Sequence, residues 1–580
     1  MSRRPEVSCA AAGAVEARAR SRGAERRKYR VFMKTSLGVS NRARPCVWRA
    51  MAPISARVRG KSNGVRPVAG TGTARRSIVK KFTNVGTVLF AAIWAIACAA
   101  PEVPVEGEAD GSSAEPAVTP PPEIALNGSA KRFCSAIWVS ERDRRDALYQ
   151  SILLTGDEVR DYEDGRLTFD VDEERRIVTA SHDGAAGRAR HFGDQGCVIL
   201  PRWTDKVFFT PRRVVSTLPD AATTPWPMGD LLPDEPLPDD VDAELVAEAV
   251  RLMFTPGDNR AAFVAVHRGR IIAEEYGPGV HKDTQLESWS MGKSMTATLI
   301  GRLIQMGHLD LWQAAPVPEW QNSADDPRAA IRIADLLRMS SGLRFTNSGA
   351  TPEQMAHAFI PGQWDHWLGY GAPIDVFRFS TTREVEFPPN TVGRYRNSDP
   401  WTLGYIVRRT VENELGEEYL SWPQRALFDK VGIRRFIMET DAHGNFILTG
   451  YNYGTPRNWA RIGLLYLQRG MWNGERLLPE EFVDFVSSPA PAWDPPVYGG
   501  QFWVNPAGED GVGIRIPTLP NDAYNAAGAG EQRTYIIPSR DLVMVVQSHR
   551  SPAAHAPDRT GREYEALGMV VKAVDPGWSW

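Results

Sequence analysis

Strand-like runs stand near both ends of the region from residue 243 onward, and a long helical stretch lies between them. Ala262-Phe263-Val264-Ala265-Val266 and Ile271-Ile272-Ala273 are joined by His267-Arg268-Gly269-Arg270, the pattern of a β-hairpin. Strand patterns return at Phe502-Trp503-Val504, Arg533 to Pro538 and Leu542 to Gln547. A sheet made this way draws its central strands from both ends of a domain and packs the intervening helices against itself. The expected fold class is α/β of the α+β kind: an antiparallel sheet flanked by helices, with a helical subdomain, over residues 240–575. A helix over Ala243 to Phe254 leads into the first hairpin.

At 580 residues the chain is long enough for further units. Residues 1–78 carry arginine throughout without apolar periodicity, so they read as a disordered or non-native extension. Residues 79–98 read as a signal peptide: Arg75, Arg76, Lys80 and Lys81 precede an apolar run from Val85 to Ala97 that ends at Cys98. That run is shorter than the ~18–20 residues of a spanning helix, which favours cleavage over a permanent span. Ala95-Ile96-Ala97-Cys98 resembles a bacterial lipobox, so Cys98 is the expected lipidation site. The protein is then expected outside the cytoplasm, held to the membrane by a lipid anchor. Residues 99–128, rich in Pro, Glu, Gly and Ala, read as a disordered tether.

Residues 130–225 read as a small, mainly β accessory domain, with segments such as Ala136-Ile137-Trp138-Val139, Leu167 to Val171 and Lys206 to Phe209. Pro- and Asp-rich text from Thr223 to Asp240 marks a linker. Cys134 and Cys197 lie in this exported part, where a disulfide between them and two buried free thiols are both open.

A net charge of −2 and a hydrophobic fraction of 42% give no basic field for nucleic acid. A small-molecule or peptide-like substrate is the default. The ten histidines form no H-x-H or H-E-x-x-H grouping, so neither a metal nor any other cofactor is expected. Only 11 of the 68 basic residues are lysines, so a lysine at a special position is informative.

One such lysine stands in Ser290-Met291-Gly292-Lys293, which opens a helix running to Gly307 with Ser288 as candidate N-cap. Residues three apart share a helix face, so the serine hydroxyl and the lysine amine can meet. Burial lowers a lysine pKa and lets a neutral amine act as base towards the serine. The string alone is weak, since Ser77-Ile78-Val79-Lys80 matches it too. Tyr395-Arg396-Asn397 adds a hydroxyl for proton relay and an amide that can orient substrate or the lysine. Gly528-Ala529-Gly530, before a strand, can bring a backbone N–H close to substrate and complete an oxyanion hole with the N–H of Ser290.

In this order, together with Leu336 to Leu343 and Trp459-Ala460-Arg461-Ile462-Gly463, the motifs resemble those of the β-lactamase-related serine hydrolases. That superfamily includes class C β-lactamases, penicillin-recognising peptidases, carboxylesterases and 6-aminohexanoate-dimer hydrolases. The resemblance spans about Ala243 to the C-terminus and implies the β-lactamase/transpeptidase-like fold. It also implies Ser290 as nucleophile, Lys293 as base and Tyr395 as second proton-transfer group. The Cys134 segment and Trp226-Pro227-Met228-Gly229-Asp230 resemble a larger, exported branch with an N-terminal extra unit.

The superfamily's Lys-Thr-Gly strand motif is replaced by Gly528-Ala529-Gly530, with Glu531 where the amide- and ester-hydrolysing branches often have Gly. The expected activity is cleavage of an amide or ester through an acyl-enzyme. The alternatives are a β-lactamase or D-Ala-D-Ala peptidase on the same fold, or a non-catalytic, membrane-tethered binding protein. Loss of the motif's lysine and hydroxyl removes an anchor for the carboxylate of a β-lactam, unless Arg533 turns into the pocket and replaces it.

Overall fold

The computed structural model describes residues 121–580, apart from 324, 348–349, 508–514 and 551–557. The basic extension, the signal segment, Cys98 and most of the tether lie outside the described residues. The described ones belong to a single compact unit.

Strand β5 (Arg260–His267) and β6 (Arg270–Tyr276) form the expected hairpin. They complete a six-stranded antiparallel sheet of order β12-β13-β14-β15-β5-β6, with β12 at Trp503–Val504, β13 at Tyr524–Gly528, β14 at Gln532–Ile537 and β15 at Leu542–Ser548. The late strand β15 pairs directly with the early β5, Val545 opposite Val264. Every residue of β5 and β15 is buried. Both faces are covered, which is why these strands read as continuous apolar runs rather than as alternation. Helices α2 (Ala243–Met253) and α6 (Arg559–Val574) enclose one core with the sheet. On the other face lie α3 (Gly292–Gln305), α4 (Ser398–Arg409) and α5 (Pro456–Leu467), sharing a larger core with Val264, Val543 and Val545. Helix α5 starts where Thr455 accepts from the Asn458 N–H and Pro456 takes the first helical position.

Shorter strands β7 (Leu286–Glu287), β8 (Ile437–Met438) and β9 (Asn452–Gly454) form a second sheet, β7-β9-β8, and β10 (Met471–Trp472) pairs with β11 (Glu475–Arg476). Through β9, the chain just before Ser290 is held against the loop at Thr449 and Gly450.

The N-terminal part departs from expectation. A helix, α1 (Pro121–Trp138), occupies both the end of the expected tether and the expected strand at Ala136 to Val139. It packs on a four-stranded sheet, β1 (Leu167–Asp172), β2 (Ile177–His182), β3 (Ala185–His191) and β4 (Cys197–Ile199). Lys206 to Phe209 form no strand. The helix looks too polar to pack because its buried polar residues are satisfied from outside it. Asn127 donates to the Gly371 carbonyl, and Lys131 pairs with Glu439. Cys134 on α1 and Cys197 on β4 are joined in a disulfide, Cα–Cα 6.0 Å. The expected linker is also pinned: the Arg461 guanidinium on α5 donates to the carbonyls of Pro227 and Gly229 and pairs with Asp230.

Candidate functional site

Ser290 sits in a short 3-10 turn, Trp289–Met291, that feeds α3. Trp289 before it takes φ 45°, a left-handed backbone that costs a non-glycine residue on the order of 1–3 kcal/mol. The expected N-cap role of Ser288 is not made. Its hydroxyl donates to the carbonyls of Gly450 and Trp289 instead, 2.7 and 2.9 Å, because the turn directs it at the neighbouring loop. Gly307 has φ 81°, just past the last turn of α3.

The helix brings Lys293 Nζ to 3.0 Å from Ser290 Oγ and 3.2 Å from the Thr449 carbonyl. Lys293 is 1% exposed, and no carboxylate of the described residues pairs with it. Burial, with no compensating charge, holds its pKa well below the ordinary 10.5. Its amine stands 4.7 Å from the centre of the Tyr395 ring. The Tyr395 ring stacks on Trp503, centroids 5.6 Å apart. Burial pushes the phenol up, against smaller opposing effects from Ser290 and the Arg533 charge. The tyrosine is therefore an O–H group at neutral pH rather than a phenolate.

Asn397 does not cap α4 with its side chain. Its Nδ2 donates to Tyr370 Oη at 3.0 Å, and that hydroxyl donates to the Thr449 carbonyl, 2.7 Å, the same carbonyl that Lys293 contacts. Asn397 Oδ1 is buried without a hydrogen-bond partner. His366 is nearby: burial, then the charges of Lys293 and Arg550, bring its pKa down to about 3.

Of Gly528-Ala529-Gly530, only Gly528 backs directly onto the serine turn. A Cβ there would lie 2.2 Å from the Ser288 carbonyl and 3.0 Å from the Ser290 nitrogen, so only glycine lets β13 come this close. Ala529 and Gly530 belong to the β13–β14 turn, and Gly530 faces Arg550. The expected placement of the motif before a strand is thus shifted: Gly528 is the last residue of a strand. Glu531, at φ 63°, sends its carboxylate away to Arg260 and Arg559. Arg533 donates to the Gly528 carbonyl at 2.6 Å and to the Gln532 carbonyl.

Tyr370, His366, Thr449, Trp289 and Arg550 were not singled out by the sequence reading. Thr449 acts through its carbonyl, which leaves no residue-type signal, and the others stand far apart in the chain in unremarkable contexts. Among the described residues no cluster of His, Cys, Asp or Glu is arranged to hold a metal.

A helix-borne serine and buried lysine beside the strand end at Gly528, on an antiparallel sheet with helices on both faces, is the arrangement of the β-lactamase fold. The family model for Beta-lactamase matches residues 251–567, more than half of the chain, and the chain belongs to that family. It is 24% identical over 233 residues to the 6-aminohexanoate-dimer hydrolase of Paenarthrobacter ureafaciens, an alignment covering 39% of this chain and 56% of that protein. Among solved structures it is similar to a penicillin-binding protein homolog from Caulobacter crescentus (16% identity, 57% of this chain and 98% of that one, TM-score 0.40). It is also similar to a family VIII carboxylesterase (15% identity, 57% and 98%, TM-score 0.40).

Proposed function

We propose that the protein is a serine hydrolase that cleaves a small amide or ester through an acyl-enzyme on Ser290. The observation that carries this reading is a buried lysine, without a carboxylate partner, 3.0 Å from a serine hydroxyl. A neutral Lys293 amine accepts the serine proton as Oγ attacks the substrate carbonyl carbon. The oxyanion that forms accepts hydrogen bonds from the Ser290 N–H and from the backbone of the strand end at Gly528. As the carbon–nitrogen or carbon–oxygen bond breaks, the Tyr395 O–H protonates the leaving group and regains its proton from the Lys293 ammonium. Water then attacks the acyl-enzyme along the reverse proton path, releasing the acid and free Ser290. The Asn397–Tyr370–Thr449 chain is a positioning device for the lysine. Similarity to an amide hydrolase and to a carboxylesterase supports this substrate class.

Incubation of intact protein with a fluorophosphonate is expected to add one adduct, at Ser290. The adduct disappears in Ser290→Ala and persists in Ser294→Ala, whose native hydroxyl donates to the Gln501 carbonyl. An adduct at another serine overturns the assignment. Export and a lipid anchor on Cys98 belong to the same proposal, supported by the signal-like segment and the Cys134–Cys197 disulfide. Fatty-acid labelling that is lost in Cys98→Ser tests it.

A further inference from the structure

Arg550 is a half-buried cation that neither the fold nor the chemistry proposed above uses. It follows β15, and its guanidinium lies 4.8 Å from the centre of the Trp289 ring, the residue beside Ser290. No hydrogen-bond or ion-pair partner faces it among the described residues, and residues 551–557 contain no Asp or Glu. Gly530, in the turn that follows Gly528, faces Arg550, and Gly528 backs onto the Ser290 nitrogen, so Arg550 stands beside the serine turn. Together with Arg132, Glu287, Trp289, Gln532 and His549 it lines a cavity of about 30 Å³. That exceeds the ~10–15 Å³ one water needs, and suits a carboxylate group rather than a whole substrate. Arg132 Nε and His549 Nε2 are buried without hydrogen-bond partners. Arg132 comes from α1, outside the part of the chain that the family model matches.

A desolvated guanidinium with no acceptor is unfavourable, and a ligand carboxylate satisfies its planar fork through two parallel hydrogen bonds. We propose that Arg550, with Arg132 behind it, anchors a free carboxylate on the substrate, so that the enzyme selects amides and esters carrying one. The N-terminal segment then forms a wall of the substrate site rather than a scaffold alone. Glu287 also lines this cavity; burial raises its carboxyl to about 7, while Arg132, Arg550 and Lys131 favour its charged form and Glu439 disfavours it. An incoming carboxylate is repelled by ionised Glu287, so the selection is strongest below pH 7.

The proposal rests on Ser290 as nucleophile, and the tests separate the two. Matched esters place the charge on either side of the bond: phenyl hydrogen glutarate against phenyl valerate, and 4-carboxyphenyl against phenyl butyrate. In wild type the anionic member of one pair is expected to have kcat/KM roughly 10-fold or more above its neutral partner. That ratio falls towards one in Arg550→Gln, through KM, and is partly kept in Arg550→Lys. Arg469→Gln, which removes an exposed ion pair, leaves the ratio unchanged. Calorimetry of glutarate with Ser290→Ala is expected to show binding that the added Arg550→Gln change removes. No anionic preference in either pair, a ratio untouched by Arg550→Gln, or no glutarate binding overturns the proposal. Arg550-dependent glutarate binding with no turnover of any ester instead sinks the reading of Ser290 and leaves the anion site standing.

Discussion

Among the described residues two lysines are buried, in almost parallel settings. Lys131 on α1 is fully buried, 4.5 Å from the centre of the Tyr451 ring; Lys293 on α3 is 1% exposed, 4.7 Å from the centre of the Tyr395 ring. Each also contacts a backbone carbonyl, Cys197 for the first and Thr449 for the second. The difference is a carboxylate. Lys131 pairs with Glu439 at 2.5 Å, and Glu439 also accepts from Ser135 and the Cys197 N–H. Lys293 has, among the described residues, the Ser290 hydroxyl and that carbonyl as hydrogen-bond partners and no carboxylate. Burial lowers both pKa values, but at Lys131 the glutamate opposes the effect and at Lys293 nothing does. A buried ammonium with a counter-ion is a structural tie, and one without is what the proposed mechanism uses as its base.

The sharpest break in that comparison is to exchange each lysine for methionine. Lys293→Met is expected to lower kcat by roughly 10⁴-fold or more, since serine loses its base, while thermal unfolding shows the fold retained. Lys293→Arg fails almost as badly, because guanidinium stays protonated. Near-normal turnover in either variant refutes the base. The rings under the two amines should diverge as well: Tyr395→Phe slows acyl transfer by about 10²–10⁴-fold, whereas Tyr451→Phe stays near wild type. Single-turnover kinetics on one ester reads both.

Lys131→Met has the converse outcome. It strands the Glu439 carboxylate in the interior and is expected to cost about 3–5 kcal/mol of stability. Adding Glu439→Gln returns much of that loss. Denaturant unfolding without reductant, with the Cys134–Cys197 bond intact, measures it. A single variant as stable as wild type would show the ion pair contributes nothing.

A smaller effect follows from linkage. Between the depressed folded pKa of Lys293 and the ordinary 10.5, the unfolded chain binds the proton that the folded chain lacks. Unfolding free energy therefore rises with pH in that window, by up to ~1.4 kcal/mol per pH unit from this group. Wild type minus Lys293→Met isolates the slope, and activity should climb through the same folded pKa. A flat difference would mean the lysine is charged in the fold.

The sheet was legible in the sequence because its strands are buried on both faces, so unbroken apolar runs such as Leu542 to Gln547 mark them. Ser290, Lys293 and Tyr395 were legible because their spacing and order carry chemistry, and the structure brings the three together. Helix α1 was not. Its burial depends on Gly371, 244 positions from its partner Asn127, and on Glu439, which is still farther along the chain from Lys131, and no local pattern announces such distant satisfaction. The same holds for Tyr370 and the Thr449 carbonyl. The linker read at Thr223 to Asp240 was likewise polar text held by distant side chains, Arg434, Arg457 and Arg461.

Arg533, half-buried on β14, extends the comparison to a cation beside the site and supplies the smallest expected effect. The Lys-Thr-Gly position of β-lactam-recognising relatives holds only Gly528-Ala529-Gly530 here, and Arg533 on β14 is the nearby residue able to restore positive charge. Its guanidinium, however, donates to the Gly528 and Gln532 carbonyls, so like Lys131 it is already engaged. A penicillin carboxylate directed at this strand would have to displace those bonds, forgoing charge-assisted contacts of about 1.5–3 kcal/mol each. A neutral short-chain ester forgoes nothing there. With the proposed Arg550 anion site removed in Arg550→Gln, the expected kcat/KM is therefore at least tenfold higher for the ester than for a penicillin. In Arg533→Ala both values change together, because the substitution perturbs the backbone at Gly528 rather than an anchor, and their ratio holds. A penicillin preferred in that Arg550→Gln background would break the argument, and loss of that preference on adding Arg533→Ala would make Arg533 a free cation of the Lys293 kind.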